Sequence, residues 1–325
     1  MIEVKKLTKR YEGGEALRGV DFKVKVGEIC AVAGKDGSGK TTLSDLLAGV
    51  IEPDAGQIMV CGIDMIDQPS SAKQHLGYVP AENGLYQDMT PRAGMKFIAD
   101  ARGIGGREAK DLIDAAIKRF GLKDVADTKA LRLSAGVRKL VSMAQAAFTG
   151  VDVLVIDEPT QGLDPKEIIE LRELLVRLKK DHAILLTSQS MTELCAVADR
   201  VLMMKDGSVV AEGKPEELHR LTMNDGTLCL TVRGGESEVR EALSGVKGAE
   251  LISLEPAEDG AFAAVLDQKG EDLRAAAFAA VCGKGLVLLH MAPGVKPMDE
   301  LLKELTSERV TRAQEKEEQG DEGNL

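Results

Sequence analysis

A glycine-rich stretch, "GKDGSGKTT", has the residue types and spacing of a phosphate-binding loop. It matches the pattern G-x-x-x-x-G-K-[ST] and follows the apolar run "EICAVAG", which predicts a buried strand before the loop and a helix after it. The glycines allow the backbone to curve around an anion with its N–H groups pointing inward. An ordinary glycine-rich turn would not need the lysine and the threonine that follow. The predicted nucleotide-binding residues of this loop are Gly34, Lys35, Asp36, Gly37, Ser38, Gly39, Lys40, Thr41 and Thr42.

The end of this loop suits a nucleotide with bound magnesium. We expect Lys40 to reach the β- and γ-phosphates and the Thr41 hydroxyl to ligate Mg²⁺. The N-terminus of the following helix adds positive partial charge at the same place. The pattern therefore predicts a nucleoside triphosphate and Mg²⁺ as ligands.

Two acidic residues follow a second apolar run in "VLVIDEPT". The run predicts a buried strand that carries Asp157 and Glu158 at its carboxyl end, which is the edge where α/β folds bind ligands. We expect Asp157 to hold Mg²⁺, directly or through water, and Glu158 to orient and deprotonate an attacking water. A carboxylate that only starts a helix is the alternative, and the neighbouring phosphate loop makes it the weaker one.

The elements that would position these groups alternate between apolar strands and amphipathic helices over residues 1–220. Runs such as "VDVLVIDEP" and "HAILLTS" are apolar throughout, as parallel strands covered on both faces tend to be. A mostly helical subdomain is predicted at about 86–135, where "REAKDLIDAAIKRFGL" spaces its apolar residues at three and four. The fold class predicted for this part is α/β, with a P-loop core.

The pattern changes after residue 220. Residues 221–308 predict strands and helices in the order β-α-β-β-α-β, which is typical of a small α+β domain of ferredoxin-like type, and a last helix in "PMDELLKELTSERV". Residues 309–325 are polar and aperiodic, so we expect a disordered tail.

Composition limits the function classes. Aromatic residues make up 3% of the chain and Trp is absent, so the core must be aliphatic. A net charge of -11 argues against nonspecific binding to nucleic acid or to anionic membranes. No apolar run reaches the roughly 18 residues of a membrane span, so a partner would have to supply any span.

The cysteines and histidines give little sign of a site. Cysteines are widely spaced, without a C-x-x-C pair or a histidine at ligand spacing, which favours small buried side chains in a reducing cytosol. His290 lies on an apolar run and is expected to be a packed residue. The residues concerned are Cys30, Cys61, Cys195, Cys229, Cys282, His75, His182, His219 and His290.

Together with "LSAGV" between them, the phosphate loop and the carboxylates resemble the ATP-binding subunit of an ABC transporter. The resemblance covers residues 1 to about 218, with the family's motifs in their usual order. "LSAGV" resembles the signature motif, so Ser134 and Gly136 are expected to donate to a phosphate. "TQGLDP" supplies the D-loop with Asp164, and Tyr11 matches the aromatic residue that stacks on adenine.

The resemblance implies partners. ATP-binding subunits of this family sandwich two ATP molecules head to tail, so a second subunit is expected, either an identical copy or a related chain. The stretches "GLYQDMTPRAGMKF" and "KPMDELLKELT" are similar to exporters of the drug-resistance, sodium-efflux and gliding-motility type. We therefore expect a separate transmembrane permease and a cytoplasmic location at the inner face of the cell membrane, with no nucleic-acid partner.

Two positions depart from the family pattern. Ala81, in "GYVPAENGLY", replaces a polar Mg²⁺ ligand, and Gln189, in "LLTSQSMTE", replaces a histidine that touches the γ-phosphate. A glutamine amide can donate to that phosphate but does not become a cation near neutral pH. The alanine side chain has no polar atom, although the adjacent Glu82 could substitute. The sequence therefore predicts an ATPase that binds ATP well and cleaves it slowly.

Two other functions are open to the same residues. A regulatory or degenerate module would bind ATP and dimerise with little turnover, and the residues at 81 and 189 favour it. A soluble ABC protein acting on DNA or ribosomes would carry a coiled-coil insertion or two ATPase cores, and this chain has neither.

Overall fold

The chain divides into two units, with the division between Pro215 and Glu216. The computed structural model describes residues 1–82, 84–217, 223–268 and 272–295. The predicted change of pattern at residue 220, His219, the predicted last helix and the predicted disordered tail lie outside these ranges.

The strands of the first unit form two sheets. Their bounds are β1 (Ile2–Tyr11), β2 (Gly14–Val24), β3 (Ile29–Ala33), β4 (Ala55–Val60), β5 (Ile63–Asp64), β6 (Leu76–Val79), β7 (Val153–Asp157), β8 (Ala183–Ser188), β9 (Arg200–Lys205) and β10 (Ser208–Gly213). The first sheet is antiparallel in the order β2-β1-β4-β5, and the second has the order β10-β9-β3-β8-β7-β6. In the second sheet β9, β3, β8, β7 and β6 run parallel and β10 is antiparallel to β9.

The parallel strands confirm the prediction from their apolar runs. Every residue of β3, β7 and β8 is buried, including those at their carboxyl ends. Because β3, β8 and β7 are neighbours, the loop after β3 and the carboxylates of β7 come to the same edge of the sheet.

Helices connect these strands and build the predicted helical part. Their bounds are α1 (Lys40–Leu47), α2 (Pro69–Gln74), α3 (Pro91–Ala101), α4 (Gly106–Arg119), α5 (Ala135–Ala147), α6 (Pro165–Leu178) and α7 (Met191–Cys195). Helix α4 buries Ala109, Ile113, Ala116 and Ile117, which are the apolar positions at spacings of three and four that predicted it.

The main core lies between the two sheets and includes α1. Leu43, Leu46 and Leu47 of α1 are fully buried against aliphatic side chains of the antiparallel sheet and of the parallel strands. Burying each such side chain contributes about 1.5–3 kcal/mol. Phe22 is the aromatic member of this cluster, so the core is aliphatic as the composition predicted.

The second unit contains β11 (Met223–Arg233), α8 (Glu236–Ser244), β12 (Glu250–Pro256), β13 (Ala261–Asp267), α9 (Arg274–Gly283) and β14 (Val287–Val295). Its sheet has the order β12-β13-β11-β14, and every pairing is antiparallel. Leu228, Leu230 and Val232 of β11 form its core with Val239 and Leu243 of α8.

Two expectations about packing are wrong. Cys30 is buried as predicted, but Cys61, Cys195 and Cys229 are partly exposed and Cys282 is exposed. His290 is exposed as well, because it pairs with Thr231 on the face of the sheet opposite to the buried Leu230 and Val232. Among the described helices, none combines the length and the apolar character that a bilayer crossing requires.

Candidate functional site

The phosphate loop joins β3 to α1 and is closely packed at two glycines. A Cβ atom at Gly39 would lie 2.5 Å from the Ala16 carbonyl oxygen, and its φ of +101° already favours glycine. A Cβ atom at Gly34 would lie 2.4 Å from Ser38 Oγ and 2.6 Å from the Met204 carbonyl oxygen. The surrounding strands therefore fix the loop backbone, and only glycine fits at these positions.

Lys40 lies inside the curve of its own loop. Its side chain is 6% exposed, and its Nζ donates to the carbonyl oxygens of Gly34 at 2.8 Å and of Lys35 at 3.0 Å. A buried ammonium needs such partners because desolvation without them is costly. The Lys40 ammonium is thus held inside the curve of the loop by these two carbonyl oxygens. A bound phosphate would compete with the two oxygens for the ammonium.

Asp157 ends β7 and is fully buried. The Thr187 hydroxyl of β8 donates to its Oδ1. Its Oδ2 is buried and has no hydrogen-bond partner among the described residues. An ionised oxygen without a partner is costly in this position, so the site fits a cation or a cation-bound water there. Carboxylate and hydroxyl oxygens are the ligands that Mg²⁺ prefers.

Glu158 follows directly and has a backbone φ of +43°, which is rare for a residue with a side chain. Its N–H donates to the Thr187 carbonyl oxygen at 2.9 Å, and its Oε2 accepts from the Ser188 hydroxyl at 2.9 Å. Burial raises the pKa of its carboxyl group, while the Ser188 hydrogen bond and the Lys40 charge oppose the rise. A carboxylate with a raised pKa is a stronger base than an exposed one.

Gln189 follows β8 and contacts the phosphate loop. Its Nε2 donates to Asp36 Oδ1 at 2.5 Å, so the two predicted nucleotide contacts bond to each other. The structure therefore brings Gln189 to the phosphate loop. Its amide donor is engaged by a loop carboxylate in this arrangement.

Sequence reasoning missed Lys139. This lysine of α5 is 1% exposed, and its Nζ donates to the Ala81 carbonyl oxygen at 3.2 Å. Burial lowers its pKa, while the negative charges of Asp157 and Glu158 oppose the lowering. The signal in the sequence is a lysine on the buried stripe of the helix, at a spacing of three and four between Gly136 and Met143.

The signature and D-loop residues cap helices, and the two segments approach each other at Gly136 and Glu167. Ser134 Oγ accepts from the Val137 N–H at 3.2 Å and caps α5. Asp164 caps α6, where it accepts from the Glu167 N–H at 2.8 Å while the Glu167 side chain accepts from the Asp164 N–H. Gly136 lies so close to Glu167 that a Cβ atom would be 2.1 Å from its Oε1.

Tyr11 ends β1 and leaves half of its surface, 50%, exposed. The Lys9 ammonium lies 5.6 Å from the centre of its ring. This exposure is compatible with stacking of the Tyr11 ring on adenine, which is the role that the sequence predicts for it.

Comparisons with known proteins decide the family. A family model described as "ABC transporter" matches residues 17–161. Over 207 residues the chain is 34% identical to the ABC transporter ATP-binding protein NatA of Bacillus subtilis (strain 168), covering 63% of this chain and 84% of NatA. Over 221 residues it is 35% identical to the Nod factor export ATP-binding protein I of Burkholderia orbicola (strain AU 1054), covering 67% of this chain and 72% of that protein. The chain belongs to the ABC transporter ATP-binding proteins.

The fold of this ABC transporter ATP-binding protein is also similar to that of CbiO1 from Clostridium perfringens, which is described as part of the ABC transporter complex CbiONQ. The TM-score is 0.60 at 29% identity, and the match covers 67% of this chain and 89% of CbiO1. The residues matched by the family model include the phosphate loop, Ser134, Gly136 and both carboxylates, whereas Tyr11, Asp164 and Gln189 lie outside them.

Proposed function

We propose that this ABC transporter ATP-binding protein is the ATP-hydrolysing subunit of an exporter, with slowed hydrolysis. The observation that carries the proposal is the meeting of Lys40, Asp157 and Glu158 at one edge of the parallel sheet. Export is supported by the name of one relative, which is described as a Nod factor export ATP-binding protein. Power would come from ATP-driven association of two such subunits beneath a separate transmembrane permease.

Phosphate binding falls to the loop. We assign the backbone N–H groups of the loop, Lys40 and the N-terminus of α1 to the phosphates, and Tyr11 to the adenine ring. Lys40 would exchange its bonds to the Gly34 and Lys35 carbonyl oxygens for bonds to the β- and γ-phosphates. We assign the remaining residues of this stretch to the nucleotide as well, namely Asp36, Gly37, Ser38, Gly39, Thr41 and Thr42.

Magnesium would be held by Thr41 and by Asp157, whose Oδ2 is buried without a hydrogen-bond partner in the described part of the chain. When bound, Mg²⁺ neutralises the charge that develops on the transferred phosphoryl group. The bond from the Thr187 hydroxyl fixes the carboxylate of Asp157 in one orientation. That orientation leaves one oxygen for the metal or its water.

Glu158 would take the proton of the attacking water. The Ser188 hydroxyl holds one oxygen of Glu158, which leaves the other to accept that proton. The raised pKa brings the carboxylate closer to the working pH, where a general base is most effective.

Slowed hydrolysis is supported by Gln189 and Ala81. The amide of Gln189 must leave Asp36 before it can donate to the γ-phosphate, and it cannot act as a cation. Losing one fixed donor to developing charge costs about 3 kcal/mol, or roughly a hundredfold in rate. Ala81 offers a carbonyl oxygen that Lys139 already occupies and no side-chain oxygen for a metal.

A second ATP-binding subunit, identical or related, would complete the site. Ser134 and Gly136 lie at the N-terminus of α5, where N–H groups favour an anion, and we assign them with Asp164 to the ATP of the opposite subunit. The location that follows is cytoplasmic, against the inner face of the membrane through the permease.

For the domains, we propose an ATP-binding domain over 1–220 with a helical subdomain at about 86–135, and a ferredoxin-like accessory domain over 221–308. The strand order β12-β13-β11-β14, with a helix between β11 and β12 and another between β13 and β14, supports the second assignment.

Single-turnover ATP hydrolysis by the wild-type chain and by Glu158→Gln tests the assignment of the base. Removing a general base should lower the rate by roughly 10²–10⁴-fold, with ATP binding retained. Binding is measured with a fluorescent ATP analogue. Equal hydrolysis rates in the two proteins would contradict the role of Glu158.

A further inference from the structure

A second cluster of metal-ligating side chains lies away from the nucleotide edge. One ligand atom each of Cys61, His75 and Asp152 lies within 4.8 Å of the other two. Thiolate, imidazole and carboxylate are the ligands of Zn²⁺ in proteins. We propose that these residues bind Zn²⁺ with three protein ligands and an open fourth position. The proposal is independent of the nucleotide chemistry assigned above.

Backbone hydrogen bonds hold His75 and Asp152 side by side. His75 follows α2 and precedes β6, and Asp152 immediately precedes β7, the neighbour of β6. The His75 carbonyl oxygen accepts from the N–H groups of Asp152 and Val153, both at 3.0 Å. Their side chains meet at 2.6 Å between His75 Nδ1 and Asp152 Oδ2. Two of the three ligands are therefore positioned before any metal binds.

Cys61 reaches the pair from the other sheet. With Gly62 it forms the two-residue connection between β4 and β5, and the two residues have φ angles of +51° and +83°. Such turns favour Asn, Asp and Gly, so a cysteine at the first position carries a conformational cost of about 1 kcal/mol. The Cys61 N–H donates to the Met1 carbonyl oxygen at 2.8 Å, which fixes its backbone. Its side chain is partly buried against the main core, and its Sγ accepts a hydrogen bond from the Met1 ammonium at 3.5 Å.

The spacing fits a tetrahedral ion. Zn–S and Zn–N bonds of about 2.3 and 2.0 Å place neighbouring ligand atoms roughly 3.5 Å apart. The three ligand atoms, which lie within 4.8 Å of one another, would move slightly closer together around the ion. The distance of 2.6 Å between His75 Nδ1 and Asp152 Oδ2 would increase by about 1 Å. His75 and Asp152 side chains are 41% and 47% exposed, so water can reach the fourth position. Binding would displace the thiol proton of Cys61 to solvent.

The position of the cluster determines its effect. His75 and Asp152 lie at the amino ends of β6 and β7, whereas Asp157 lies at the carboxyl end of β7. The five residues of β7 separate the two edges by about 16 Å. A bound ion would join the β4–β5 turn of the antiparallel sheet to the parallel sheet without touching the phosphate loop. Zinc should therefore raise the melting temperature and leave nucleotide affinity unchanged.

Titration of the full chain with Co²⁺, a spectroscopic substitute for Zn²⁺, tests the site. We expect one equivalent to produce a thiolate-to-cobalt charge-transfer band and tetrahedral visible bands, which Zn²⁺ then bleaches. Cys61→Ser should lose the charge-transfer band, and His75→Gln should weaken binding by roughly tenfold or more. Cys282→Ser, which changes an exposed cysteine, should behave as the wild type.

The proposal is overturned by three results. One is a wild-type chain without the thiolate band, and another is a band that persists in Cys61→Ser. The third is equal binding by His75→Gln and the wild type. Binding of a fluorescent ATP analogue to each variant verifies that it is folded, and a failure of that binding in the wild type would contradict the proposed ATPase and not the zinc site.

Discussion

The nucleotide edge has two sides that differ in how their residues are fixed. On the phosphate side, the loop is held by glycines that fit against Ala16 and Met204, and Lys40 is buried. On the water side, Gln189 is exposed and bonded to a loop carboxylate, and Ala81 contributes only its backbone. We expect the groups fixed by packing to serve binding and the groups with breakable bonds to limit turnover. The comparison implies that ATP affinity and hydrolysis can be changed separately.

The largest effect is expected from Lys40→Met, on the phosphate side. Loss of a charge-assisted contact costs about 3 kcal/mol, which lowers ATP affinity by roughly a hundredfold. Titration with a fluorescent ATP analogue measures the change. Lys110→Met, which removes an exposed charge of α4, is the control and should bind as the wild type. An unchanged ATP affinity in Lys40→Met would contradict the assignment of binding to the phosphate side.

On the water side, the double change Ala81→Gln with Gln189→His should raise hydrolysis by roughly tenfold to a hundredfold, because a fixed donor is restored. ATP affinity should change little, since no residue of the phosphate loop is replaced. Steady-state phosphate release is the measurement, with each single variant alongside. An unchanged hydrolysis rate in the double variant would show that these two residues do not limit hydrolysis.

A matched pair of glycine variants tests whether packing fixes the loop. Gly39→Ala and Gly37→Ala place a side chain at φ of +101° and +79°, but only the former meets atoms within 4 Å. We expect Gly39→Ala to lower the free energy of unfolding by about 1–3 kcal/mol more than Gly37→Ala. Denaturant unfolding of both proteins gives the difference. Equal losses would attribute the effect to backbone strain alone.

The smallest effect is expected in the pH profile. Because burial raises the pKa of Glu158, hydrolysis should decline with falling pH at a value above 4.5, the ordinary value for a glutamic acid. The protonated carboxyl cannot accept the water's proton, so activity is lost on the acid side. Lys139→Met removes a nearby cation and should therefore move the acid limb of the pH profile to higher pH. An unmoved limb with an unchanged melting temperature would mean that Lys139 does not act on the carboxylates.

The predicted elements were accurate where apolar periodicity is strong. The runs that predicted β3, β7 and β8 form fully buried strands, and the stripe in α4 is the buried one. Prediction was weaker at single side chains, as the exposure of His290 shows. Whether an apolar run is buried on both faces depends on the elements that cover its sheet, and His290 lies on the face opposite to the buried Leu230 and Val232.

The phosphate loop and the carboxylates could be predicted from the sequence, because a short pattern and a buried strand suffice to place them. Contacts between distant side chains could not be predicted in this way. Gln189 bonds Asp36 across 153 positions of the chain, and Lys139 bonds Ala81 across 58. Cys61, His75 and Asp152 come together in the same way from two sheets. The physical reason is that such contacts depend on the packing of whole strands and helices, which no local pattern of residues records.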